Sequence, residues 1–533
     1  MEHDYLYQRY KSNRYSVTAK NGMVATSQPL AAQAGLDILK KGGNAIDAAI
    51  ATAAALTVVE PTSNGIGSDA FALVWINNKL HGLNASGVTP KSISIEEVKK
   101  NNKTMPKFGW TPVTVPGTPK AWARLVERFG NLSLYECLEP AINLASDGYS
   151  ITPVLGKYWK GAFKKYSKVF EGEEFNEWFN TFTIKGKAPE IGDIITLKNH
   201  GSTLESIGKT NSDSFYKGNL ADKIEKDSKK HGGFIRKSDL ESFDVEWVDP
   251  ISVEYRGFNV WEIPPNGQGI VALMGLNILK NFGITHNDYL TYHRQIESMK
   301  LAFADGLHYI TDPKHMKVNA NELLSESYAR KRSELITESA LTPEVGKPNG
   351  SGTVYLATAD KWGNMVSYIQ SNYMGFGSGI VVEGTGIALQ NRGADFSLDS
   401  NHYNKLMPNK RTYHTIIPGF ITKGNKPIGP FGVMGGYMQP QGHLQVVCNM
   451  IDFNLNPQMA LDAPRWQWIK DKSILVEPNF NLSIVDKLRR MGHDVKIAPD
   501  TGSFGRGQII IKLENGAYVG GTESRTDGHI AIY

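Results

Sequence analysis

The sequence predicts a layered α+β protein, and three observations carry that expectation. The chain has 533 residues, too long for one ordinary hydrophobic core, so two to four layers or lobes are expected. Helical patterning dominates a middle region from roughly residue 105 to 340. Strands dominate beyond Gly352, where TVYLATA and MVSYIQS alternate.

The elements follow in order. Ser27 is placed to cap a helix with Pro29 in its first turn. Leu30, Ala34, Ile38 and Lys41 share one stripe of that helix, and Gly42-Gly43 stops it. The alanine-rich run Ala45 to Val59 reads as a buried helix, because it holds Asp47 and is shorter than the ~18–20 residues that cross a bilayer. A glycine-containing turn, SNGIGSDAF, then leads into FALVWI and KLHGL, which flank Asn77-Asn78 as a hairpin. WEIPPNGQG at 261–269 is a Pro/Gly loop. Leu290, Ile296, Met299 and Phe303 give Tyr289 to Tyr309 a core-facing helical stripe. Leu341 to Gly352, with two prolines and three glycines, is the expected linker. TVYLATA and MVSYIQS follow as strands around a DKWGN turn. QIIIKL and AYVGG form a last hairpin around Glu514-Asn515-Gly516.

Composition narrows the function classes. With 41% apolar and 21% charged residues the chain is a folded globular protein. Its net charge of +5 suits small anionic substrates and does not point to nucleic acid, for which no motif is present. Cys137 and Cys448 are too few and too far apart for a disulfide framework or a metal cluster, so two buried thiols are expected. The first residues, MEHDYLYQRYKSNRYSV, do not read as a signal peptide. The expected location is the cytoplasm, with no membrane contact.

Gly352-Thr353, where the linker meets a strand, carries the chemistry. Cutting the chain there would make Thr353 an N-terminal residue with its own nucleophile and its own base. An α-amine has a reference pKa of ~7.7–8.0, close to working pH. Gly352 has no side chain to block attack of the Thr353 hydroxyl on its carbonyl. GFGSG at 375–379 and GVMGGYM at 432–438 could supply backbone N–H groups to an oxyanion, or could be plain tight turns. Asp395, in NRGADFS, could hold a cationic substrate group, or be an isolated exposed carboxylate.

Taken together, these residues resemble the γ-glutamyltranspeptidase (glutathione hydrolase) family over nearly the whole chain. The resemblance runs from NGMVATSQPLAAQAGLDILKKGGNAIDAAIATAAALTVVEPTSNGIG through TPVTVPGTPKAW, PPNGQG and MKLAFADGLHYITDP. It continues in TVYLATADKWGNMVS, FGSGIVVEGTGIALQNRGADFS, KRTYHTIIP, MGG and LDAPRW. It is most similar to the signal-less, cytoplasmic branch. The resemblance implies a four-layer αββα sandwich of the N-terminal-nucleophile hydrolase type. It implies a precursor that cuts itself between Gly352 and Thr353 into a large subunit, residues 1–352, and a small catalytic subunit, residues 353–533. Assembly into oligomers of such heterodimers is compatible with it, and no cofactor or metal is implied. Thr353 would be the nucleophile, Ser371 its hydroxyl partner eighteen positions on, Gly435 and Gly436 the oxyanion donors, and Asp395 the anchor for the γ-glutamyl α-amine.

The substrate pocket departs from the family pattern. Where an arginine should clamp the α-carboxylate stands Ser86, with no arginine near it in sequence. Arg392 replaces a glutamine, Tyr373 an asparagine, and His414 and Thr415 a pair of serines. The stretch from Ser397 to Lys410 is short, so the pocket's lid looks trimmed, which favours hydrolysis over transfer. Arg392 could restore the clamp from another direction, because a guanidinium grips a carboxylate bidentately. The expected activity is hydrolysis of γ-glutamyl amides such as glutathione. The alternatives are a glutaryl- or cephalosporin-type acylase on the same scaffold and an unprocessed binding protein.

Overall fold

The computed structural model describes residues 13–343 and 352–533. Most of the expected linker, residues 344–351, and the first 12 residues lie outside the described part.

Two seven-stranded sheets face each other, and every neighbouring pair of strands in them is antiparallel. One sheet runs, edge to edge, through His529–Ile532, Gly22–Thr26, Gly352–Asp360, Met365–Tyr373, Asp69–Ile76, Lys79–Ala85 and Glu246–Val248. The other runs through Val17–Ala19, Tyr518–Thr522, Arg506–Lys512, Lys426–Met434, Gly419–Lys423, Phe258–Glu262 and Ile251–Tyr255. Phe71, Leu73, Ile369, Tyr355, Phe420 and Ile510 fill the space between them. Helices Ala45–Val59 and Thr118–Phe129 bury their apolar faces against the first sheet, and Leu134–Asp147 packs on Ala45–Val59 behind them. Gly269–Leu279 and Met438–Ile451 do so on the second, and Tyr289–Tyr309 packs on these two helices. This is the αββα sandwich. Each sheet takes strands from both sides of Gly352, so the segments 1–352 and 353–533 share one fold rather than forming two separate cores.

Most expected elements form as read. Asn77 and Asn78 take φ of 53° and 58°, the left-handed pair that a tight hairpin needs. The Ala45–Val59 helix is buried on all sides, and Asp47 closes a capping box with Asn44 at its start. Both cysteines are free and buried. Among the described residues no helix is long and apolar enough to cross a membrane.

Two expectations need correction. Gln28, not Ser27, caps the first helix by accepting from Leu30 N. The Ser27 hydroxyl is drawn instead to the buried Glu60 carboxylate. The middle region is also less uniformly helical than its patterning suggests, because 246–262 supplies an edge strand to one sheet and two strands to the other.

Candidate active site

The site grows from a fault in the central sheet. Gly352 faces Tyr373 and Val354 faces Gln370, so Thr353 alone opposes Ser371 and Asn372. Such a bulge re-aims side chains. Here it brings Thr353 Oγ1 to 3.0 Å from Ser371 Oγ, both buried. Ser371 Oγ also accepts from the backbone N–H of Tyr373 at 2.8 Å. Tyr373 closes the bulge at φ 72°, a left-handed conformation that is strained for so bulky a residue. The DKWGN turn folds the two strands back on each other, with Asp360 Oδ1 accepting from Trp362 N and Asn364 N. That hairpin is why residues eighteen apart meet.

Asp395 sits on a short 3₁₀ turn, Arg392–Asp395. It is neither isolated nor exposed, for only 10% of its side chain reaches solvent. Its Oδ1 accepts from Tyr373 Oη at 2.5 Å and Tyr437 Oη at 3.4 Å. Arg392 Nη1 lies 3.5 Å from its Oδ2, an ion pair too long for a good hydrogen bond. Burial pushes the Asp395 carboxyl up, against the opposing pull of Arg392 and the two tyrosine hydroxyls.

Arg392 is itself 1% exposed. Its guanidinium stacks 4.1 Å over the Tyr373 ring, and Nη1 donates to Thr415 Oγ1 at 2.8 Å. Nε and Nη2 are buried with no hydrogen-bond partner among the described residues. Unpaired N–H groups on a buried cation are costly, and a planar fork of this kind fits a carboxylate.

His414 does not join this group by hydrogen bond. Its Nε2 lies 3.0 Å from Asp69 Oδ2, and both side chains are fully buried. Burial, with Arg392 and Arg411 nearby, holds the imidazole far below its ordinary range and therefore neutral. Burial also pushes Asp69 up to about 7 despite the charge of Arg392. Asp69 pairs with Ser371 across the strands, so the His414–Asp69 couple braces the sheet beneath the site.

Ser86 is locked into an amide cluster: its hydroxyl donates to Asn84 Oδ1 at 2.7 Å, and Asn266 Nδ2 donates back to it at 3.2 Å. An arginine does lie beside it in space. Arg411 Nε donates to the Ser86 carbonyl at 3.0 Å, while its Nη1 pairs with Glu246 at 2.8 Å.

Gly435 and Gly436 turn the chain from strand Lys426–Met434 into helix Met438–Ile451 with φ of 138° and 60°. A Cβ on Gly435 would come within 3.1 Å of Gly505 Cα. Gln268 Nε2 ties the Gly436 carbonyl to that of Thr415, at 2.8 and 2.6 Å. The Gly435 and Gly436 carbonyls accept from Met438 N and Gln439 N, while among the described residues their own N–H groups meet no backbone acceptor. GFGSG, by contrast, is a tight turn: Gly377 N donates to Met374 O, and Gly379 packs against the Phe170 ring. The stretch from Ser397 to Lys410 is a packed loop, pinned by Asn404 Nδ2 to the Asp395 carbonyl and to Thr412 Oγ1.

One cluster among the described residues has metal-ligand chemistry, His293, Glu297 and His493. Lys300 Nζ already lies among them, 2.7 Å from Glu297 Oε1 and 3.5 Å from His493 Nδ1, and supplies the positive charge a cation would bring. The cluster also holds Thr337 O through His293 and Leu341 N through Glu297, which fixes the chain just before residue 344.

Asp69, Gln268 and Tyr437 carried no signal of their own in the sequence. Each lies inside a strand, loop or glycine motif whose pattern is explained without it.

Comparison with known proteins places the chain in a family. The gamma-glutamyltranspeptidase family profile matches residues 31–533. The glutathione hydrolase-like YwrD proenzyme of Bacillus subtilis (strain 168) is 36% identical over 96% of this chain and 98% of its own length. The oxamate amidohydrolase proenzyme of Klebsiella pneumoniae is 31% identical over 97% of this chain and 99% of its own. The crystal structure of cephalosporin acylase from Bacillus halodurans superposes with a TM-score of 0.98 at 59% identity, covering 100% of this chain and 99% of that one. The chain belongs to the gamma-glutamyltranspeptidase family and is an amidohydrolase of the N-terminal-nucleophile type.

Proposed function

We propose that the chain breaks its own backbone between Gly352 and Thr353, and then hydrolyses amides whose acyl group ends in a second carboxylate. The observation that carries this reading is the buried Thr353–Ser371 hydroxyl pair at the start of a bulged central strand. In processing, Thr353 Oγ attacks the Gly352 carbonyl carbon. The C–N bond breaks, the hydroxyl proton passes to the departing nitrogen, and water hydrolyses the resulting ester. That leaves a Gly352 carboxylate and a free Thr353 amine. In turnover, this amine takes the proton from Thr353 Oγ as it attacks the substrate amide. The proton then goes to the leaving amine, and water releases the acyl group. Ser371 orients the nucleophile, and the N–H groups of Gly435 and Gly436 are available to the oxyanion.

The surroundings of Asp395 bear on the substrate. With two tyrosine hydroxyls on Asp395 and Arg392 beside it, a guanidinium stands where a substrate ammonium would go. A second cation there would be repelled, while the unpartnered Nε and Nη2 of Arg392 offer a grip for a carboxylate. This supports glutaryl-type acyl groups without the amine, in line with the cephalosporin acylase likeness. γ-Glutamyl amides, including glutathione, are the second reading, supported by the retained Asp395 and the glutathione hydrolase-like relative. The short, packed 397–410 segment supports hydrolysis over transfer, and cytoplasmic location remains our proposal.

Glutaryl- and γ-glutamyl-4-nitroanilide, assayed side by side, test the choice. The glutaryl compound should be cleaved at least as fast. A tenfold or greater preference for the γ-glutamyl compound would reverse the assignment, and no cleavage of either would defeat it.

A further inference from the structure

A groove of about 870 Å³ opens beside the site, and its electrostatics are one-sided. Gly435 and Tyr437 are in its lining, so it borders the glycine turn and the Tyr437 contact to Asp395. Asp395, Arg392 and Thr415 do not line it. The groove is therefore distinct from the acyl-group contacts while sharing a border with them.

Its charged lining is entirely cationic: Lys107, Lys157, Lys165 and Arg506. Two of these are answered by acids outside the lining, Lys157 by Asp500 at 3.4 Å and Arg506 by Glu60 at 3.8 Å. Lys107 and Lys165 have no ion-pair partner among the described residues. They sense each other, for partial burial and then the Lys107 charge hold the Lys165 ammonium below its ordinary value. Lys107 is also tied to the chain just after the bulge: its carbonyl accepts from Asn391 Nδ2 at 2.8 Å, and Asn391 Oδ1 accepts from Met374 N. Between the cations the walls are aromatic and apolar, with Tyr166, Met374, Met434 and Trp468. A cleft lined by one sign of charge concentrates ligands of the other sign.

We infer that this groove is the leaving-group half of the substrate site, and that it takes amines carrying a carboxylate on a flat or apolar body. The inference rests on the amidase reading above. When the acyl C–N bond breaks, the amine collects its proton at the Thr353 end while its own carboxylate stays among the lysines. The three lysines are exposed, so their single contributions are modest and screened by salt, whereas Arg506 is buried beside Glu60.

The test uses one acyl group, whichever of the two above is cleaved better, on three amines: aniline, 4-aminobenzoate and 4-(trimethylammonio)aniline. The proteins compared are the wild type and the Lys107→Ala/Lys165→Ala double variant. Intrinsic reactivities cancel in that comparison. The wild type should favour the carboxylate over the trimethylammonium amine by about tenfold more than the double variant does, and added salt should shrink the difference. An equal ratio in both proteins would overturn the inference. If none of the amides is cleaved, the amidase reading fails by itself. Calorimetric titration with 4-aminobenzoate then still reads the groove: tighter binding to the wild type supports the anionic site, and equal or undetectable binding overturns it.

Discussion

Two buried arginine clusters in this chain have opposite hydrogen-bond inventories. Around Arg465 and Arg525 the donors are taken. Arg465 Nη1 donates to the carbonyls of Phe504 and Gly505, and its Nη2 to the Leu461 carbonyl and Glu523. Arg525 donates to both oxygens of Glu477, to Glu523 and to two carbonyls. Arg392 is equally buried, yet has one hydrogen bond, one long ion pair and two unpartnered nitrogens. The first cluster is structural. It holds Gly505 where Gly435 packs, and so braces the glycine turn. The second is incomplete in a way that a ligand carboxylate would complete. Burial alone does not separate a brace from a binding group, whereas the count of satisfied donors does.

The largest effect expected from this contrast is on stability. Arg465→Met leaves the buried Glu523 short of one of its two cations and should cost about 3–5 kcal/mol in denaturant unfolding. Glu523→Gln should cost about 3 kcal/mol near neutral pH. Burial alone would raise its carboxyl, but Arg465 and Arg525 outweigh it and bring the group down to about 2. A carboxylate lowered on folding stabilises above its unfolded pKa of about 4.3 and loses that contribution as pH falls toward 2. The gap between wild type and Glu523→Gln should therefore close across that window.

Arg392→Met should behave differently. Asp395 keeps two hydroxyl donors, so the stability cost should be about 1 kcal/mol, while KM rises about 10- to 100-fold. A loss of stability as large as that of Arg465→Met, with KM unchanged, would erase the distinction between the clusters. The smallest effect is expected from Tyr437→Phe, which removes a 3.4 Å contact to Asp395 and should shift KM by about threefold.

The legible parts of the molecule were those whose cause is local. The alternating strands, the Asn77-Asn78 turn and the buried alanine-rich helix act within a few residues, and all formed as read. The Thr353–Ser371 pair was also accessible, because a hairpin fixes which residues meet across it. Partnerships closed by the fold were not. His414 meets Asp69 from 345 residues away, and Arg411 reaches Ser86 from 325 away. Sequence showed no arginine near Ser86 because nearness there is made by loops crossing the sheet ends. Ser27 was misread for the same reason, since a good cap residue has a stronger partner in Glu60. Sequence left Asp395 open between a substrate anchor and an exposed carboxylate, because nothing beside it announces the two tyrosines that cover it.

The central claim is that Thr353 acts as an N-terminal residue. Intact-mass measurement of the purified protein after prolonged incubation tests it most directly, with Thr353→Ala in parallel. The expected result is a wild type split after Gly352 into chains of 352 and 181 residues, and a variant that stays whole and inactive. A wild type that remains a single 533-residue chain while hydrolysing amides would contradict it.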